Sequence, residues 1–200
     1  MATRKHDLFA DLPPAWPGGL VYHEDFIAPA EEARLLGSIA ELPLTEAQYK
    51  AYTARRRTVS FGSSYDFDAN RLNAEAPIPP FLHPLRDRAA DWLGVAPDRI
   101  AHALVTEYRP GTPLGWHRDV PQFAEILGIS LGTACRMRFR PYPPRPNPRD
   151  GVFAVTLAPR SAYIMRGDAR WRWQHSVPPT PGLRFSITFR TAVTSPAAGA

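Results

Sequence analysis

LRFSITFRT, residues 183–191, alternates large apolar residues with arginines and hydroxyls. Successive side chains of a β-strand point to opposite faces. Phe185, Ile187 and Phe189 therefore share one face, and Arg184, Ser186, Thr188 and Arg190 share the other. The apolar face belongs in a core. Two arginines flanking two hydroxyls are unusual on the opposite face of an interior strand unless they hold an anion. A strand of this kind needs partners, and the sequence before it supplies them.

From Ile100 onward IAHALVTEY, EILGISLGT, CRMRFRP, GVFAVTLAP, SAYIMRGD and ARWRWQH also alternate or run apolar over strand lengths. Pro, Gly and Asp punctuate them. Upstream the pattern changes. LVYHEDFI (20–27) predicts a short strand, and PAEEARLLGSIAEL (29–42) predicts a helix with Pro29 at its start, acids in its first turn and an apolar stripe of Leu35, Leu36, Ile39 and Leu42. PPFLHPLRDRAADWLG (79–94) predicts a second helix stopped by Gly94. Two helices followed by a run of strands predict a mainly β, α+β fold: a sandwich or jelly roll with the N-terminal helices packed on one sheet.

The 200 residues suit one domain, 1–200, large enough to bury a core without disulfides. Residues 1–20 are expected as an extended arm, 45–75 as a substrate-recognition lid, and 100–192 as the β core. The single cysteine, Cys135, rules out a disulfide framework and a cysteine zinc cluster. No stretch approaches the ~20 apolar residues that span a bilayer, so a soluble, cytoplasmic monomer is expected. The formal charge is +5, carried by arginine because Lys5 and Lys50 are the only lysines. Arginine pairs bidentately with phosphate and carboxylate, which suits an anionic partner such as nucleic acid as well as it suits simple surface solubility.

GWHRDVPQF, residues 115–123, carries His117 and Asp119 at strand spacing, so both could face one ion. A second pair, His23 and Asp25, sits where the chain enters the first helix, and Asp25 there is expected to serve the turn. Only one histidine follows His117 in the chain, His175 at the end of ARWRWQH. Two histidines and one carboxylate form the facial set that suits Fe(II), with zinc the competing assignment. A 2-oxo diacid chelating iron would need a cation for its far carboxylate. Arg184 is expected as that anchor and Arg190 as its support, because the two lie ~20 Å apart along one strand. Thr106 and Tyr108 share a strand face just ahead of the metal pair, where a tyrosine hydroxyl could donate to the same carboxylate.

The ordered stretches TEYRPGTPLGWHRD, ISLGTACRMRF, RWRWQHSV and RFSITFR resemble the AlkB family of Fe(II)/2-oxoglutarate dioxygenases, and RRRTVSFGSSYDF does so more weakly. The resemblance implies a double-stranded β-helix. It implies Fe(2+) on His117, Asp119 and His175, and 2-oxoglutarate held by Tyr108, Arg184, Ser186 and Arg190 with Thr106 beside them, with O2 as the oxidant. Many members have asparagine where Thr106 and Ser186 stand. DNA-repair members have an acid two places after the metal aspartate, where this chain has Pro121 and then Gln122. PQFAEILGISLG is closer to the branches associated with RNA or protein substrates.

The expected activity is oxidative demethylation or hydroxylation of a modified or alkylated DNA or RNA base. Arg56, Arg57, Tyr65, Phe67 and Gln122 are the candidate substrate contacts, since arginines interleaved with aromatics grip phosphates and stack extruded bases. The same chemistry on a protein side chain or small metabolite is the alternative enzyme reading. A catalytically silent β-sandwich binding RNA is the alternative from another class. In CRMRFR, Arg136, Arg138 and Arg140 share a face opposite Met137 and Phe139, an outer stripe able to follow a phosphate backbone.

Overall fold

A computed structural model describes residues 16–49, 52–66, 71–74, 76–147 and 149–193 of the chain. Most of the expected arm, residues 1–15, and the candidate Phe67 lie outside these. In chain order the elements are β1 (Leu20–His23), α1 (Pro29–Ala40), β2 (Thr45–Tyr49), β3 (Tyr52–Phe61), β4 (Ser63–Asp66) and β5 (Arg71–Ala74). There follow α2 (His83–Leu93), β6 (Ile100–Tyr108), β7 (Leu114–His117), β8 (Phe123–Gly132) and β9 (Cys135–Pro141). The chain closes with β10 (Phe153–Leu157), β11 (Ala162–Met165), α3 (Gly167–Trp171), β12 (Trp173–Val177) and β13 (Arg184–Ala192).

The strands form two facing antiparallel sheets. The major sheet runs β1-β11-β8-β13-β6-β3-β2 and the minor sheet β10-β9-β12-β7. This is the jelly roll expected from the strand pattern. The strand that decided it, β13, lies in the middle of the major sheet between β6 and β8. Ile187 and Phe189 are completely buried on the face that α1 and α2 cover, together with Val105, Ile129, Leu35, Ile39, Leu85 and Ala89. A second apolar cluster, including Ile126, Met137, Phe139 and Leu157, fills the space between the sheets. Burying a side chain of this size contributes roughly 1.5–3 kcal/mol.

Both N-terminal helices form where the pattern predicts. Pro29 opens α1 with Glu31 and Glu32 in its first turn, and Leu35 and Ile39, one turn apart, enter the core. Gly94 ends α2 at φ 77°, the left-handed conformation that glycine adopts without a Cβ penalty.

Two boundaries differ from expectation. The first strand stops at His23 instead of running to residue 27, because Asp25 turns the chain at φ 49° and pairs with Arg160 at 3.0 Å. ARWRWQH is not one strand: Gly167 reverses the chain at φ 52°, α3 takes residues 167–171, and only Trp173–Val177 pairs. The stretch expected as a lid also divides. Its β2 and β3 extend the major sheet beyond β6, and β4 and β5 form a separate two-stranded sheet.

Candidate metal centre and co-substrate pocket

A cavity of about 610 Å3 opens between the two sheets. The inner face of the major sheet supplies Arg184, Ser186, Thr188 and Arg190 from β13, His102, Leu104, Thr106 and Tyr108 from β6, and Arg56, Thr58 and Ser60 from β3. The polar face of β13 is thus interior, as its composition predicts.

His117 and His175 approach the cavity from the minor sheet. They are 58 residues apart in the chain yet directly opposite each other in the β7–β12 register, with ring centroids 4.1 Å apart. Asp119 follows β7, and the ligand atoms of the three residues all lie within 4.8 Å of one another. His117 Nδ1 sits 3.0 Å from the Gly115 carbonyl. A carbonyl only accepts, so Nδ1 carries the proton and Nε2 presents its lone pair. Arg190 donates from Nε and Nη2 to Asp119 Oδ1 at 2.9 and 2.7 Å, leaving Oδ2 on the side of His175 Nε2, 3.7 Å away.

These groups have the protonation states a dication requires. Burial pushes His175 down to about 3, His117 adds to the shift, and Asp119 opposes it. Burial also lowers His117 against the pull of Asp119. Burial alone would raise the Asp119 carboxyl, but Arg190, followed by the two imidazoles and Arg170, holds it well below the usual carboxylate range. At neutral pH the three present two neutral imidazoles and one carboxylate, the donor set suited to Fe(II).

The cavity lining also contains a buried cation. Arg184 is only 2% exposed, donates from Nε to Ser130 Oγ at 3.1 Å, and lies 4.9 Å from the Tyr108 ring centroid. Its Nη1 is buried without a hydrogen-bond partner. A buried guanidinium N–H without an acceptor costs stability, and a carboxylate at that position would satisfy it bidentately. Thr106 and Ser186 are register partners on the same floor, as are Tyr108 and Arg184. The residues present therefore fit a 2-oxo diacid, since the metal group and Arg184 line one cavity.

Arg190, expected as the support of Arg184, lines the same cavity. Its guanidinium is taken by Asp119 and by His102, whose Nδ1 lies 3.1 Å from Nη1.

Among the candidate substrate contacts, Arg56 lines the cavity. Arg57 does not. The pleat turns it to the opposite face, where it donates to the Leu44 carbonyl and pairs with Glu107 at 3.2 Å. Gln122 does not reach the cavity lining either: its side-chain oxygen is buried without a partner in the loop ahead of β8. Tyr65 falls on β4, and its side chain lies outside the described residues, as do those of Tyr49 and Tyr52.

Three contributors were not anticipated. His102 shares strand parity with Leu104, Thr106 and Tyr108, so the alternation of β6 already contained it. Arg170, 3% exposed, donates to the Val120 and Phe123 carbonyls at 2.7 and 2.8 Å and ties down the loop carrying Asp119. Reading its stretch as a strand hid that role. Tyr163 packs into the cavity over Gly128, where a Cβ would overlap its ring, and burial pushes its phenol well above the ordinary value.

Residues 19–190 match the 2OG-Fe(II) oxygenase superfamily. The Xenopus tropicalis protein named tRNA (carboxymethyluridine(34)-5-O)-methyltransferase alkbh8 is 29% identical over 176 residues, covering 84% of this chain and 26% of that protein. The Arabidopsis thaliana alkylated DNA repair protein ALKBH8 homolog is 26% identical over 181 residues, covering 80% of this chain and 51% of its own. The chain thus spans about a quarter to a half of the length of these relatives. Protein L905 of Acanthamoeba polyphaga mimivirus is 29% identical over 185 residues, with 84% and 82% covered. The solved structure of OsALKBH1 superposes with a TM-score of 0.69 at 15% identity, over 88% of this chain and 98% of that one.

Proposed function

Because this chain belongs to the 2OG-Fe(II) oxygenase superfamily, and within it to the AlkB family, we propose that it oxidises a modified or alkylated nucleic-acid base, with RNA the first class to test. It is a 2-oxoglutarate-dependent dioxygenase that uses Fe(2+), 2-oxoglutarate and O2. The observation that carries the site assignment is one cavity joining the His117, Asp119 and His175 group to a buried guanidinium with an unfilled donor.

In this reading His117, Asp119 and His175 hold the iron, and Arg190 fixes Asp119 so that one carboxylate oxygen faces the metal. Arg170 secures the loop on which Asp119 rides. Arg184 binds the far carboxylate of 2-oxoglutarate, and Tyr108, Thr106 and Ser186 line its length. The bound metal and co-substrate together supply oxidation of a C–H bond, with 2-oxoglutarate leaving as succinate and carbon dioxide. When that bond belongs to an N-methyl group, the hydroxylated product releases formaldehyde and a free nitrogen. The cavity side bearing Arg56 is where the base enters.

Two similar proteins are named for tRNA and for alkylated DNA, which supports a nucleic-acid substrate here, for base modification or for repair. A monomer in the cytoplasm is the setting this reading expects. No helix among the described residues is long and apolar enough to cross a membrane.

The test is succinate formation from 2-oxoglutarate and Fe(II), measured alone and with methylated DNA, methylated RNA and transfer RNA. Stimulation by a nucleic acid is expected. Turnover that no nucleic acid changes would shift the substrate to a protein side chain or a metabolite. No turnover under any condition would leave a silent RNA-binding sandwich.

A further inference from the structure

The arginines of CRMRFR take no part in the cavity, and the structure shows what surrounds them. Met137 and Phe139 of β9 point into the core between the sheets, so Arg136, Arg138 and Arg140 stand on the outer face of the minor sheet. Arg138 donates from Nε to Ser176 Oγ at 3.1 Å, and Arg140 from Nε to Gln174 Oε1 at 2.7 Å. Both partners are neutral. The guanidiniums of Arg138 and Arg140 also lie 5.0 and 4.5 Å from the ring of Trp116 on β7. Next to them Arg118 stacks on Tyr142 at 3.7 Å, a residue that is 43% exposed.

Charge decides what this face can meet. The four strands of the minor sheet contain no Asp or Glu. No ion pair among the described residues involves Arg118, Arg136, Arg138 or Arg140. Some arginines elsewhere do find acids, as Arg88 does with Glu31 and Arg160 with Asp25. Alternate residues of a strand are ~6.6 Å apart, close to the separation of neighbouring phosphates along an extended strand. Trp116 joins the two regions, since it lines the cavity and also takes the guanidiniums on its ring. His117, the next residue, belongs to the metal group.

We propose that the outer face of the minor sheet is a track for the phosphodiester backbone of a single-stranded nucleic acid, leading it to the cavity mouth at Trp116. Arg136, Arg138 and Arg140 neutralise successive phosphates, Arg118 extends the row, and Tyr142 offers a stacking surface for a base. This inference rests on the nucleic-acid reading of the cavity and deepens it by assigning the surface that holds the strand outside.

The experiment is fluorescence anisotropy of a labelled oligouridine, and of the matching oligothymidine, titrated with the full chain over a sodium chloride series. Replacing all three arginines by glutamine is expected to lower the slope of log affinity against log salt by about 2, at ~0.7 for each phosphate of a single strand that is no longer neutralised. The corresponding triple lysine variant, which keeps the charge, is expected to retain the wild-type slope. Arg136→Gln alone, at an exposed position that leaves both hydrogen-bonded arginines in place, is expected to lower it by about 0.7 and keeps the test open if the triple variant misfolds.

Slopes for the glutamine variants equal to wild type would overturn the track and leave the cavity's function standing, because that function is scored separately by succinate formation. A wild-type protein that binds neither oligonucleotide overturns the track too, and absent nucleic-acid stimulation of succinate formation then identifies the nucleic-acid reading as the part that failed. Displacement of the oligonucleotide by polyglutamate at equal charge concentration as readily as by unlabelled RNA overturns it in favour of an acidic protein partner. A reduced slope seen with RNA and DNA alike supports backbone recognition, and one confined to RNA supports the track for RNA alone.

Discussion

Replacing Arg184 by methionine separates co-substrate binding from the rest of the site. The side chain is 2% exposed, Ser130 satisfies its Nε, and its buried Nη1 has no acceptor. A carboxylate placed there gains a charge-assisted contact in a water-poor setting, and such hydrogen bonds contribute ~1.5–3 kcal/mol each. Methionine fills a similar volume and removes every donor. A loss of about 2–3 kcal/mol in 2-oxoglutarate binding corresponds to a rise in KM of roughly 30- to 150-fold at tenfold per 1.4 kcal/mol. The metal group should keep its iron, because Arg190 and not Arg184 contacts Asp119. The assay is succinate formation against 2-oxoglutarate concentration at saturating Fe(II), with iron content measured on the same protein. An unchanged KM would refute the assignment of Arg184 as anchor. A KM rise accompanied by loss of iron would show that the substitution disturbs the whole pocket and not one contact.

Other outcomes follow from the same geometry. His117→Ala and Asp119→Ala each remove one of three ligands and are expected to abolish stoichiometric iron binding, read by metal analysis after dialysis, and with it succinate formation. In metal-free protein His102 and His175 are held below the ordinary histidine value by burial. The unfolded chain therefore takes up protons that the folded one refuses, so stability is fully present above about pH 6.5 and falls as pH drops below it, for His175 toward about 3, by at most ~1.4 kcal/mol per pH unit for each histidine. Urea unfolding at pH 7 and pH 5 reads this, and greater stability at pH 5 would contradict it. Phe189→Ala, at a completely buried position under the helices, is expected to cost ~3–5 kcal/mol, seen as a lower urea midpoint at an unchanged slope.

The amino-acid sequence alone determined which residues of β13 share a face, because side-chain alternation is a local property of an extended backbone. That parity separated Arg184, Ser186 and Arg190 from Ile187 and Phe189 before any partner strand was known, and the two helices with their caps were legible for the same local reason. The order of His117, Asp119 and His175 also named a ligand set by residue type. Only the tertiary structure decided that the two histidines stand opposite each other, because strand register across 58 residues depends on how the sheets pack. Packing likewise gave Arg190 to Asp119 while leaving Arg184 with an open donor, turned Arg56 into the cavity and Arg57 away from it, and folded Arg170 into a helical turn beneath the Asp119 loop. Each of those outcomes depends on which face another element covers, and that is a contact between distant parts of the chain that no window of sequence contains.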